Sequence, residues 1–371
     1  MPSVMVYTSR ARTRGIRVGV VGASGWAGAS HLPALAGLDA FEVTAVATTN
    51  QASADKAAAA HGVPRAYIDA GTLAADPDVD LVVVSVRASG HAEVIRAALG
   101  AGKHVLSEWP LGVDAAEAED LARAAGTAGV VHAVNPQGYQ SPDARYVADL
   151  IAAGTIGRLE SAVLVAAGDP LGGPRIAPEL AWSTDPAAGT SLLTVMAGHF
   201  LATLDRMAGR LVEVSARLPR PHGHVAVTGT GRTVPNGVPA QVLLHGVLEN
   251  GAAASVAVHG GSGSPDGFLI KLVGSEGAVT VAPTRPGTYM HWTHWDIRVN
   301  GEQAQVPDDY RTVPFDPAGG PVANVAAVYQ EIAQSIAEGR RPQPDFHTAA
   351  AHHRVLAAIE RAAATGATEK V

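Results

Sequence analysis

The pattern of apolar and polar positions begins with an apolar run, Ile16-Arg17-Val18-Gly19-Val20-Val21, that feeds into Gly22-Ala23-Ser24-Gly25-Trp26-Ala27-Gly28 and then into an alanine- and leucine-rich segment from Ala29 to Leu38. This predicts a strand, a tight glycine turn and a helix. The unit then repeats. Phe41 to Ala47 reads as a second strand, Ser53 to His61 as a helix, and Asp80 to Val86 as a third strand that is apolar without alternation. Continuous apolar strands are buried on both faces. Helix Gly90 to Gly100, strand Lys103 to Ser107, helix Ala115 to Gly126 and strand Val130 to Val134 follow. Strict βα alternation of this kind predicts a parallel, doubly wound sheet with right-handed crossovers.

Beyond Val134 the period changes. After a helix over Ser141 to Ala153, strands follow without regular intervening helices: Leu159 to Ala166, Leu211 to Leu218, Ala240 to Leu248, Ala253 to His259, Phe268 to Val273, Ala278 to Val281 and His294 to Val299. These predict an open, mostly antiparallel sheet. One helix, about Thr190 to Met207, interrupts it, and two more, Val322 to Glu338 and Thr348 to Ala363, close the chain. The fold class is α/β followed by α+β, with a tail over 1–15, a Rossmann-type domain over 16–136 and a substrate-binding and oligomerisation domain over 137–371.

Length and composition agree with two domains. The chain has 371 residues, 47% hydrophobic and 16% charged, which suits an ordinary globular core without disulfides. With no cysteine, thiolate nucleophiles and Cys-ligated metal sites are excluded. A net charge of −7, with no basic face, speaks against a nucleic-acid partner. The tail carries Arg10, Arg12 and Arg14 with no apolar segment behind them, and no stretch reads as a membrane span, so a cytoplasmic protein acting on small molecules is expected.

The glycine turn carries the first chemistry. Glycines between a strand and a helix let backbone N–H groups approach a pyrophosphate, although Ser24 and Ala27 stand at the second and third positions of the usual G-x-G-x-x-G pattern. At the end of the second strand, where an acidic residue normally accepts from the ribose of NAD, the chain has Thr48-Thr49-Asn50. Without that carboxylate the choice between the two dinucleotides tilts toward NADP.

These segments, with Asp76-Pro77-Asp78-Val79-Asp80 and Ala101-Gly102-Lys103-His104-Val105-Leu106-Ser107-Glu108-Trp109-Pro110-Leu111-Gly112, resemble the Gfo/Idh/MocA family of glucose–fructose oxidoreductases and inositol dehydrogenases. Trp109 in Glu-Trp-Pro, the segment Gln137 to Pro142 and Gly198-His199 are similar to the subgroup that includes the galactose-regulon repressor of yeasts and its bacterial relatives. The resemblance implies an NAD(P)-dependent oxidoreductase acting on an alcohol or ketone of a sugar, cyclitol or sugar-like metabolite. It implies a cofactor lined by Gly22, Ser24, Gly25, Trp26, Ala27, Thr48, Thr49, Asn50, Val86, Arg87, His91, Glu108, Trp109 and Gln137. It also implies a homodimer or homotetramer formed through the second sheet.

In a typical member a lysine in Glu-Lys-Pro, an aspartate and a histidine share the proton work. Here Trp109 stands at the lysine, Thr194 or Val195 and Ala202 at aspartate positions, and His199 alone is retained. An indole offers only an N–H donor and cannot relay a proton. His199 is therefore the expected general acid or base, with the Tyr139 phenol second. A regulator or scaffold that kept the fold and lost turnover is the rival reading, and redox-neutral chemistry through transient oxidation a third. No metal is expected, because His291 and His294 fall on opposite faces of an extended segment and His352 and His353 diverge around a helix.

Overall fold

The computed structural model describes residues 15–261 and 267–371; the expected arginine-bearing tail lies outside them except for Gly15. Six strands form the first sheet: β1 (Ile16–Val21), β2 (Phe41–Ala47), β3 (Arg65–Tyr67), β4 (Leu81–Val84), β5 (His104–Glu108) and β6 (His132–Asn135). All pair in parallel in the order β3-β2-β1-β4-β5-β6, the doubly wound arrangement whose ligands sit beyond the carboxyl ends of the strands. Val18, Val20 and Leu81 to Val84 are fully enclosed, as their unbroken apolar pattern requires. The short edge strand β3 and the helix Ala70–Ala75 after it add one unit to the expected alternation.

The second sheet is built from β7 (Leu159–Gly168), β9 (Leu211–Arg217), β12 (Gln241–Leu248), β13 (Ala253–Gly260), β14 (Phe268–Gly274), β15 (Gly277–Pro283), β16 (Trp295–Val299), β17 (Glu302–Ala304) and β18 (Glu369–Lys370). Its order is β17-β16-β15-β14-β7-β13-β12-β9-β18, antiparallel throughout except that β7 and β13 run parallel. A separate three-stranded sheet, β8 (Arg175–Ile176), β10 (His224–Val227) and β11 (Thr233–Pro235), was not expected; its strands are two to four residues long, too short to show a period.

One face of the large sheet carries Leu164, Val256, Ile270 and Leu272 into a core that continues into the first domain and includes Trp109. Against it lie a π-helical turn, Leu192–Ala197, and the helix Gly198–Ala208 that extends it. The stretch Pro186–Ala208 is apolar and long enough to cross a bilayer by length and composition, which corrects the reading that no such stretch exists; two-thirds of its most apolar window is buried inside the protein, as in a core helix. The helix Val322–Glu338 returns to the first domain, where Val325, Val328, Tyr329 and Ile332 pack with Val18, Val20, Leu32 and Leu35.

The segment after β1 is two short helices, Trp26–Ala29 and His31–Ala36, with Ser30 between them donating its hydroxyl to the Trp26 carbonyl. Gly22 makes this turn possible: its φ is 86°, and a Cβ there would lie 2.2 Å from the Ser85 carbonyl oxygen after β4. Gly25 has φ 56° but nothing within 4 Å of a Cβ. Gly22→Ala is therefore expected to cost about 2–4 kcal/mol in urea unfolding, and Gly25→Ala, strained at φ 56° and ψ −114° but meeting no atom, only about 1–3 kcal/mol; a larger loss at Gly25 than at Gly22 would contradict this packing.

Candidate functional site

The carboxyl end of β5 delivers Glu108 into the junction between the two domains, where its Oε1 accepts from His31 Nε2 at 2.7 Å and from the Asn135 amide at 2.5 Å. An ionised carboxylate only accepts, so His31 Nε2 carries a proton toward it, and Nδ1 lies 2.8 Å from the Tyr329 hydroxyl oxygen. Burial pushes the Glu108 carboxyl up, but the His31 hydrogen bond and charge, the Asn135 hydrogen bond and His199 outweigh it and hold it below its ordinary value. The group is thus a buried anion with direct partners His31, from the segment after the turn, and Asn135 of β6, and with Tyr329 of the late helix behind His31.

His199 enters from the first turn of its helix and is 3% exposed. Its Nδ1 accepts the Gln137 backbone N–H at 3.0 Å. The Gln137 side chain accepts from Trp292 Nε1 at 2.7 Å, and Trp292 stacks on Trp26 of the glycine turn with centroids 6.2 Å apart and planes at 22°. A chain of contacts thus runs from the nucleotide turn to His199. Burial pulls the His199 ring down to about 4, with the Glu108 charge opposing.

Trp109, the residue in the expected lysine position, turns into the protein interior. Its indole donates to the Thr194 carbonyl at 2.7 Å and lies beside Gly198, where any Cβ would come within 2.5 Å of Nε1. Both His352 and His353 pack on it, at centroid distances of 6.0 and 5.0 Å, so the two rings expected to diverge share one neighbour. Tyr139 lies against Arg206, whose guanidinium carbon is 5.5 Å from the phenol centroid. Arg206 follows His199 by seven residues on the same helix, and Tyr139 follows by two the Gln137 whose N–H reaches His199.

The remaining sequence candidates surround the carboxyl ends of β1, β2 and β4. Ser24 and Gly25 are exposed at the turn and Ala27 is buried beneath it. Among the described residues, neither the buried Trp26 Nε1–H nor the buried Ser85 hydroxyl has a hydrogen-bond partner. Two unpartnered donors, one on the residue after Gly25 and one on the residue whose carbonyl packs against Gly22, fit an anionic dinucleotide. Asn50 caps the helix Gln51–His61 by accepting from the Ser53 N–H, Thr48 bonds Ser53 and the Asn50 carbonyl, and Thr49 is exposed. Val86 packs toward Gly22 and Gly90. Arg87 lies 4.5 Å over the Trp182 ring, a bridge from the first domain to a loop of the second. His91 faces the Pro110 and Val86 carbonyls at 2.9 and 3.0 Å and provides no cap, so it ties two loops together instead.

His31, Asn135 and Tyr329 were not singled out as site residues from the sequence, because each acts through a partner far along the chain. Residues 289–294 are a loop rather than a strand; His291 is buried beside His199, with centroids 6.0 Å apart, and His294 pairs with Asp316 at 2.9 Å. Potential ligand atoms of His132, Asp345 and His347 lie within 4.8 Å of one another. The Phe346 N–H, however, donates to His132 Nδ1, which places the neutral ring's proton on Nε2 and leaves it no lone pair for an ion.

Comparison with known proteins agrees with this geometry. Residues 16–136 match the model of the oxidoreductase family with an NAD-binding Rossmann fold, and residues 142–282 match the Gal80p C-terminal domain. The dTDP-3,4-didehydro-2,6-dideoxy-α-D-glucose 3-reductase of Streptomyces antibioticus is 33% identical over 58% of this chain and 69% of its own length. The chain belongs to the Gfo/Idh/MocA oxidoreductase family. Among solved structures, levoglucosan dehydrogenase with NADH and L-sorbose superposes with a TM-score of 0.84 at 22% identity, covering 97% of this chain and 99% of that one. A super-repressor mutant of Gal80p from Saccharomyces cerevisiae gives 0.85 at 21%, covering 96% and 98%. Aligned regions span about half the length of three other curated relatives, 48%, 44% and 58%.

Two outcomes follow from the buried groups. Burial also brings His132 and His353 down to about 4, as for His199. Because the unfolded rings titrate near 6.5, the unfolded chain takes up more protons between these values. Urea midpoints should hold above about pH 6.5 and fall toward pH 4, by up to about 1.4 kcal/mol per pH unit for each ring; a flat profile would contradict the burial. Trp109→Ala should cost about 3–5 kcal/mol of stability, whereas a surface indole would cost almost nothing.

Proposed function

We propose that this protein transfers hydride between a nicotinamide dinucleotide and a carbonyl or hydroxyl carbon of a sugar, cyclitol or sugar-like molecule. The observation that carries the reading is the junction itself: the Glu108 charge acts on the buried His199 ring, and Trp26 of the glycine turn and Ser85, whose carbonyl packs against Gly22, hold donors without partners. When bound, the nicotinamide supplies or takes the hydride. The chain's own residues would do the rest. Trp26 and Trp292 would close the cleft from its two sides, Glu108 would hold a hydroxyl near the ring, and His199 would hydrogen-bond the substrate oxygen. The names of the Streptomyces reductase and of levoglucosan dehydrogenase support a sugar-like substrate.

The absence of a carboxylate at Thr48-Thr49-Asn50 favours NADP over NAD. Capping uses the Asn50 side-chain oxygen and leaves its amide N–H groups to donate. The regulator reading draws on the match to the Gal80p C-terminal domain and on the burial of Trp109 at the lysine position. Deuterium-labelled NADPH and NADH, incubated with the protein and a panel of keto-sugars and cyclitol ketones, separate the two. Label in one product, more from NADPH, is the expected result. Tight cofactor binding with no label transferred would favour the regulator.

The outward face of the large sheet supports self-association, since Val165 and Leu269 pair on adjacent strands and are 39% and 42% exposed, with Val163 and Lys271 beside them. Light scattering is expected to give a dimer or tetramer mass; a monomer at micromolar concentration would remove this part of the proposal.

A further inference from the structure

We propose that His199 is a fixed hydrogen-bond donor to the substrate oxygen, held in its Nε2–H form by the Gln137 backbone amide, and that it does not carry the proton of the reaction. The proposal rests on the oxidoreductase reading and narrows it, because it replaces the expected acid–base role of this histidine with an orienting and polarising one.

A backbone N–H has a proton to give and no lone pair to offer, so its partner atom can only accept. The Gln137 N–H reaches His199 Nδ1 at 3.0 Å. The single proton of the neutral ring must therefore sit on Nε2. For Nε2 to take a proton from a substrate hydroxyl, the ring would have to carry a proton on Nδ1 as well or instead, and two N–H groups would then face each other at hydrogen-bond distance. Giving up the Nε2 proton would leave an imidazolate. Neither step suits a proton carrier, whereas a standing donor suits an oxygen on which negative charge builds.

The amide cannot easily turn away. The Gln137 carbonyl accepts from Thr203 at 3.4 Å, and its side chain accepts from Trp292, which stacks on Trp26. Groups facing the ring reinforce the neutral form or are already engaged. From the loop before β16, His291 is driven well below its ordinary value by burial. From β5, Glu108 favours an imidazolium but spends Oε1 on His31 and Asn135, and burial still brings His199 to about 4. In the reducing direction hydride adds to the carbonyl carbon, the C=O π pair moves to oxygen, and that oxygen takes its proton from water, which leaves as hydroxide.

The test is a long-range proton–nitrogen correlation spectrum of the full-length protein labelled with 15N-histidine, recorded from pH 5.5 to 9, with His199→Gln used to assign the ring. The expected result is an Nε2–H pattern for His199 that does not titrate across this range. An Nδ1–H pattern, or a titration between pH 6 and 7, would overturn the proposal. Because this spectrum needs no substrate, it decides the tautomer even if no turnover is found, in which case the oxidoreductase reading falls separately. With turnover in hand, His199→Gln, whose amide N–H can reach the Nε2 position, should keep at least about a tenth of kcat, and His199→Ala should lose about a hundredfold or more. Equal loss in both would also overturn it.

Discussion

A carboxylate placed where two domains meet must be neutralised or it will drive them apart, and the junction is organised around that constraint at Glu108. Leaving a buried anion without partners costs several kcal/mol, more than most single contacts contribute. Its partners therefore come from separate parts of the chain: His31 from just past the glycine turn, Asn135 from the end of β6, and Tyr329, through His31, from the helix Val322–Glu338. Placing one anion thus brings the turn, two strand ends and a late helix into one arrangement.

The same junction turns Trp109 from a substitution into a structural member. An indole at the end of β5 fills space that a lysine would leave to solvent, and it is accommodated because Gly198 has no Cβ and Thr194 offers a carbonyl. The π-helical turn over Leu192–Ala197 ends at that glycine, and His199 follows it directly. Proton chemistry with a side chain at position 109 is lost, while a well-anchored histidine remains. That combination suits a reaction in which the protein orients and polarises more than it shuttles protons.

Much of the first domain was legible because parallel strands covered on both faces tend to unbroken apolar runs, as in β4 and in Val18 to Val21 of β1. The second sheet could be read from alternation, as in Phe268 to Leu272, where every other side chain is buried. What was not legible was short or distant. Strand β3 has three residues, the small sheet's strands no more than four, and the break at Ser30 depends on a single hydroxyl. In the site, His199 stood out as the retained member of a familiar set. The amide that fixes its ring is 62 residues away, and the tyrosine behind His31 is 298 residues away. No local pattern encodes such partnerships.

The junction beside the glycine turn is the proposed seat of a nicotinamide dinucleotide. Isothermal titration of the full chain with NADPH, repeated on Trp26→Ala, tests it most directly. One molecule should bind per chain of the native protein, and binding should be at least about tenfold weaker once the turn loses its indole, in line with the loss of an aromatic contact and its N–H donor. No saturable heat from the native protein with NADPH or with NADH would contradict it.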